Sequence, residues 1–320
     1  MTAAAYAAPP RRGILARFLA SQFFAVSVVV LAIIAIWYAG AIFLNANAQR
    51  IFDERDGKTL TLTEFVEATW SQPKPRLPAP HQVAIEIWNT TGKIALASKG
   101  TFFERVQKTL TNRQGLFYHA WVTLSSTLLG FSMGTVLGIG LATLVVHVRS
   151  LDRSLMPWIV SSQTVPILAI APMIIVVFAA IGLTGILPKA LISTYLSFFP
   201  VTVGMVKGLR SPDPIHLDLM RTYNASGAQV FRKLRWPASL PFLFVSMKIA
   251  IAASLVGAIV GELPTGAVAG LGARLLGGSY YGLTQQMWAA LVAASLMAGL
   301  LIAIVGLIER LVVRRMGARA

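Results

Sequence analysis

Residues 218–241 read DLMRTYNASGAQVFRKLRWPASLP, a polar stretch with several basic residues set between two long apolar runs. What those runs are decides what the stretch is for. The chain has 320 residues, 56% hydrophobic and only 12% charged; soluble domains carry about 25% charged residues. Asp, Glu, Lys and Arg are absent from residues 18–49, 114–148, 154–188 and 275–308. Each run exceeds the ~20 apolar residues that cross a bilayer core. The chain therefore reads as an all-α, polytopic membrane helical bundle with about six transmembrane helices.

The expected order is a cytoplasmic tail at 1–17, a first span at 18–44, and an outside segment at 45–119. A bundle core follows at 120–312, with spans at 120–146, 157–181, 187–206, 240–260 and 287–308, and a cytoplasmic tail at 313–320. Arg11, Arg12 and Arg17 before the first span, and Arg310, Arg314 and Arg315 after the last, place both termini in the cytoplasm by the positive-inside rule. The net charge of +16 fits clustering at span ends better than a nucleic-acid surface. Ala46-Asn47-Ala48 resembles a signal-peptide cleavage site, but the apolar run before it is longer than the ~7–15 residues of a signal core. TLTEFVEATW in the outside segment reads either as a short surface helix or as solvated linker.

Catalytic constellations are missing from the sequence. It contains no GxxxxGK[ST] phosphate loop, no HExxH and no GxSxG. Four scattered histidines and no cysteine provide no metal-ligand spacing. The chain therefore reads as a non-enzyme that holds no metal or cofactor of its own.

Spans two to five carry small and helix-breaking residues. Gly130, Gly134 and Gly138 line one helix face, and Gly257 and Gly261 repeat the spacing, which lets backbones approach closely. Pro157, Pro166 and Pro172 interrupt span three, and broken backbone at membrane depth needs a protein or water-filled surround. Gln163, Thr164, Pro166 and Glu262 are candidate path residues. Glu262 at the end of span five suits a structural role equally well, and Lys248 reads as a lysine snorkelling from the inner half of that span.

Ser211-Pro212-Asp213-Pro214 suits a helix start, and residues 215–223 suit one short helix. Asn224 suits a break because it tolerates the left-handed conformation. Residues 225–234 suit a second helix, and Pro237 and Pro241 mark re-entry into the membrane. Two short helices on the cytoplasmic face form a docking element for a soluble partner.

The segment resembles the Glu-Ala-Ala coupling loop of bacterial ABC importer permeases. Counted back from Trp236-Pro237 as that motif's Leu-Pro, the hydrophobe falls on Leu234, the turn glycine on Asn224, and Glu-Ala-Ala on Asp218-Leu219-Met220. The spacing is kept while several identities change; using Gly227 as the turn breaks the distance to the prolines. LPAPHQV (77–83), QTVPILAIAPMIIVVFAAIG (163–182) and FRKLRWPASLPFLFVSMKIAIAASLVGAIVGE (231–262) look like the nitrate/sulfonate/taurine branch of that family.

The resemblance implies a permease subunit of the bacterial inner membrane, with its coupling loop at 211–236. It implies a second permease copy, two like chains forming the pore as a homodimer. ABC ATPase subunits would carry ATP-Mg, and a periplasmic or lipid-anchored binding protein would deliver a small polar solute of the nitrate, sulfonate, taurine or pyrimidine-precursor type. No nucleic acid is implied. The competing expectation is a stand-alone secondary transporter driven by an ion gradient, a class rich in inverted repeats and broken helices; no clear internal repeat stands out here.

Overall fold

The structure is a computed structural model describing residues 22–57, 59–97, 101–264 and 268–316. The expected tail at 1–17, the start of the first span at 18–21 and residues 317–320 lie outside the described residues. All regular structure among the described residues is helical. The chain divides into two compact units, Met1–Ile85 and Glu86–Ala320.

In the first unit, α1 (Gln22–Asp56) has 35 residues. At 1.5 Å per residue it is about 52 Å long, well beyond a ~30 Å hydrocarbon core. The expected boundary at residue 44 is therefore where the apolar stretch ends, not where the helix ends. Asn45, fully buried, explains the continuation. Its Nδ2 donates to the Thr69 and Leu77 carbonyls at 3.1 and 2.9 Å. Its Oδ1 accepts from the Arg76 and Leu77 amides at 2.9 and 3.2 Å. The proline-rich stretch is thus fastened to α1. The Trp37 indole donates to the Pro78 carbonyl at 3.0 Å.

TLTEFVEATW is helical: α2 (Leu62–Trp70) starts in a capping box. There the Thr61 hydroxyl and amide donate to Glu64 Oε2 at 2.6 and 2.8 Å. Those bonds hold the Glu64 carboxyl below its ordinary range, the hydroxyl contributing most. α3 (Pro80–Thr90) follows, and then, in the second unit, α4 (Gly92–Ala97) and α5 (Phe102–Thr111).

The bundle consists of α6 (Leu116–His147), α7 (Arg149–Ser162), α8 (Ile167–Ala180), α9 (Ile186–Leu209), α10 (Pro214–Thr222), α11 (Gly227–Val230), α12 (Trp236–Glu262), α13 (Leu271–Tyr281) and α14 (Thr284–Arg315). Its centre is α9, with α6 along one side and α12 along another. Both contacts run through the glycines anticipated above. A Cβ on Gly130 or Gly134 would overlap Ser193 or Ser197 of α9. A Cβ on Gly138 would come within 2.8 Å of the Phe198 carbonyl and of Val201. The matched positions rise together, so α6 and α9 are parallel. A Cβ on Gly257 of α12 would lie 2.7 Å from Ser193 Cα, while Gly208 of α9 faces Ser239 of α12; those two helices are antiparallel. Because no side chain intervenes, hydroxyls reach across to helix carbonyls: Ser254 donates to Thr127 O at 2.8 Å and Thr194 to Gly130 O at 3.2 Å.

α6 and α9 run in the same direction, so the chain must return between them. That return is α7 and α8, which meet at a 97° bend. Each has 14 residues, about 21 Å, too short to cross alone. The expected span at 157–181, with its interrupting prolines, is thus a broken pair that begins at Arg149. Pro166 precedes α8 and cannot donate to a continuing helix, which accounts for the break. Five helices are long and apolar enough to cross, six crossings with the bent pair. The chain is a multi-pass membrane protein.

Lys248 of α12 does not simply snorkel. It pairs with Glu309 of α14, and both side chains are partly exposed, at 34% and 20%. Lys248→Met should cost about 1–2 kcal/mol, between the exposed and buried extremes for ion pairs. Adding Glu309→Leu should restore most of that loss in a double-mutant cycle read by unfolding in detergent.

Candidate functional site

The bundle has two ends of different chemistry. At one end α9 leads into the polar stretch 211–235. The Asp213 side chain accepts from the Ile215 amide at 2.9 Å and starts α10, with Pro214 in the first turn. α10 ends where the sequence places a break. Asn224 has φ +48°, the one positive φ of a non-glycine residue among the described residues. The Asn224 amide donates to Arg221 O at 2.8 Å and the Ala225 amide to Met220 O at 3.0 Å. This pairing is a Schellman motif, which satisfies the last carbonyls of the helix. Asn224→Gly should be within a few tenths of a kcal/mol of neutral in unfolding, since glycine adopts this backbone freely. Asn224→Ala should cost about 1 kcal/mol.

The second expected helix, over 225–234, is not a separate element. Ser226 caps α11, donating its amide to Gln229 Oε1 at 2.8 Å. The chain then passes through one wide π turn, Phe231–Arg235, straight into α12. The Trp236 amide reaches back to Phe231 O. Pro237 comes next and has no amide for the carbonyl of Lys233, so the turn widens instead of breaking. The root of the segment is fixed in the bundle. Phe231 lies edge-on to His147 of α6, with ring centroids 5.3 Å apart. Arg210 pairs with Asp152 of α7 at 2.8 Å.

The six expected coupling residues therefore divide. Asp218, Leu219, Met220 and Asn224 lie on α10 and its terminal turn, while Leu234 and Pro237 lie at the half-buried root. No residue of α10 is buried. Ile215, Leu219 and Tyr223 are 73%, 50% and 76% exposed. Their spacing of four places them in one stripe. Asp218 pairs only with Arg221 of its own helix, at 2.9 Å. Ile215 and Tyr223 were not picked out by the motif, although their spacing was readable.

At the opposite end, Glu262 closes α12. Its carboxylate is fully buried. It accepts from the Thr123 hydroxyl at 2.8 Å and from the Gly272 amide at 2.9 Å, and Lys189 Nζ lies 3.8 Å away. Thr123 also accepts from the Leu271 amide at 2.8 Å. His119 donates from Nε2 to Arg113 O at 2.9 Å, leaving Nδ1 to accept from the Gly270 amide at 3.0 Å. Lys189 donates to Ala269 O at 3.2 Å. Together these groups clamp residues 269–272 onto α6 and α9. Gly270, at φ +126° and against the Glu262 carboxylate, leaves no room for a side chain.

Gln163, Thr164 and Pro166 sit at the bend between α7 and α8, where the Tyr195 hydroxyl donates to Ser162 O. Glu262 bonds instead to Thr123 and Gly272, with Lys189 beside it, and Gln163, Thr164 and Pro166 are not among its partners. Thr123 and Lys189, which hold Glu262, escaped sequence reasoning. No cluster of three or more His, Cys, Asp or Glu that suits a metal ion occurs among the described residues.

The family described as binding-protein-dependent transport system inner membrane component matches residues 134–318. The match begins within α6, later than the likeness from residue 77. The chain is 34% identical over 168 residues to the formylaminopyrimidine transport permease protein ThiX of Halalkalibacterium halodurans, covering 52% of this chain and 65% of that protein. It is 34% identical over 202 residues to the riboflavin transport system permease protein RibX of Chloroflexus aurantiacus, covering 62% and 72%. Among solved structures, inward-facing conformations of the MetNI methionine ABC transporter align with a TM-score of 0.53 at 20% identity. That alignment covers 62% of this chain and 95% of the matched chain, and is a likeness of fold.

Proposed function

The chain belongs to the family of binding-protein-dependent transport system inner membrane components, and from that premise we propose how it works. It forms the translocation path of an ATP-driven importer, and separate ATPase subunits bind α10. The observation that carries this is the exposed apolar stripe of α10, held by a Schellman turn and joined through a π turn to α12. A push on α10 passes through the Schellman turn at Asn224 into the continuous helix Gly227–Glu262, and α12 packs on α9 through close glycine contacts.

Charge sets the orientation. Arg149, Arg153, Lys207, Arg210, Arg232, Lys233, Arg235, Arg314 and Arg315 gather at the end bearing α10, a bias that favours the cytoplasmic side for it; the family's description supports the inner membrane. The clamp then faces outside, where a binding protein delivers solute. Hydrolysis of ATP-Mg takes place on the partner, since this chain has no phosphate loop. A second copy completes the path. It covers the polar broken backbone at 163–166, which lipid alone would leave unsatisfied. The 34% identity to ThiX and RibX favours a nitrogen heterocycle over nitrate or a sulfonate as cargo.

Isolation of the chain from its native membrane in mild detergent tests the reading. An ATPase should co-purify in roughly equal amount and should be lost when residues 214–224 are replaced by a flexible linker. Persistent absence of any ATPase, with and without nucleotide, contradicts it.

A further inference from the structure

Beside the clamp a cavity of about 470 Å³ opens among α6, α8, α9 and residues Gly261, Pro264, Val268 and Ala269. Small-molecule sites span about 300–1,000 Å³ and combine apolar walls with a few convergent polar groups. This cavity has that composition. Val122, Ile175 and Leu183 provide apolar wall, and Tyr118, Thr184 and Lys189 bring polar groups to the same space.

Lys189 is the distinctive member. Its side chain is only 15% exposed. An ammonium has three donors, and one is used, on Ala269 O at 3.2 Å. Glu262, at 3.8 Å, lies beyond hydrogen-bond reach. Glu262 does not line the cavity, and its oxygens are engaged by Thr123 and Gly272. The ammonium thus offers spare donors on the cavity side, and the carboxylate behind it offsets much of its net charge. Such a site favours an acceptor atom over a high-charge anion.

We propose that this cavity is an outward solute site of the permease. It takes a compact, flat, largely apolar body carrying a carbonyl, ring nitrogen or carboxylate that accepts from Lys189. A nitrogen heterocycle has that chemistry, whereas taurine has no flat apolar body. The inference rests on the transport reading for which side faces the solute, but its test is independent of turnover.

The sequence has no cysteine, so Ser125→Cys, on the cavity wall, introduces a lone thiol. In the assembled transporter in right-side-out vesicles, a membrane-impermeant maleimide added outside should label it. Excess formylaminopyrimidine or riboflavin should slow labelling, and taurine should not. Adding Lys189→Met should raise the half-protecting concentration about tenfold, the loss of one hydrogen bond to a charged donor. Ile175→Trp fills the cavity from the α8 wall while keeping Lys189 and Glu262 in the chain, and should abolish both labelling and protection, which guards against misfolding of the lysine variant. Labelling by lipophilic maleimide alone would assign the cavity to lipid. Labelling that neither heterocycle slows overturns the proposal. Protection in vesicles that lack ATP-dependent uptake would leave the site standing and count against the transport reading instead.

Discussion

Leu219→Glu is expected to release the ATPase from the membrane subunit while leaving the bundle intact. α10 has no buried residue, so the new carboxylate remains in water in the isolated chain and the unfolding midpoint should not move. In the complex the same position is the middle of the Ile215–Leu219–Tyr223 stripe. A charge there loses the apolar contact and is itself desolvated. Hot-spot residues, which cluster near an interface centre, cost about 2 kcal/mol or more when lost, so with Leu219 in that role binding of purified ATPase to the chain in nanodiscs should weaken roughly thirtyfold. Transport should fall with it. Affinity unchanged by Leu219→Glu would remove α10 from the docking surface.

Glu262→Ala is expected to have the largest effect on stability. Removing this fully buried carboxylate strands the Thr123 hydroxyl, the Gly272 amide and the Lys189 ammonium at once. Breaking a buried charge pair by deleting one member costs about 3–5 kcal/mol. The loss should appear as a lower unfolding midpoint and as proteolysis within the stretch between α12 and α13. Glu262→Gln keeps the shape and an acceptor oxygen, and should cost less than half as much. Equal stability of Glu262→Ala and the unmodified chain would contradict the clamp.

What was legible in the sequence was local. The glycine faces of α6 and α12 follow from spacing alone, because a close helix contact needs small residues every fourth position. Asn224 was readable as a turn because few residues accept a positive φ. The prolines announced a break in span three, but its 97° angle depends on what α8 packs against. The clamp was not legible. Thr123 and Glu262 lie 139 positions apart and His119 and Gly270 151 apart, and no local pattern joins them. The second loop helix was misjudged because Pro237 was read as a boundary, whereas a π turn absorbs it. The continuation of α1 past residue 44 was hidden for a similar reason: Asn45 looks like a helix end until its four backbone partners are in place.

The most direct measurement is uptake into proteoliposomes containing this chain, its ATPase and its binding protein. Radiolabelled formylaminopyrimidine and riboflavin serve as probes, with ATP enclosed or omitted. The account predicts accumulation of at least one probe that requires ATP hydrolysis and all three components, and that Leu219→Glu abolishes. Accumulation driven by an ion gradient across vesicles holding this chain alone, indifferent to ATP, would contradict it and identify a secondary transporter instead.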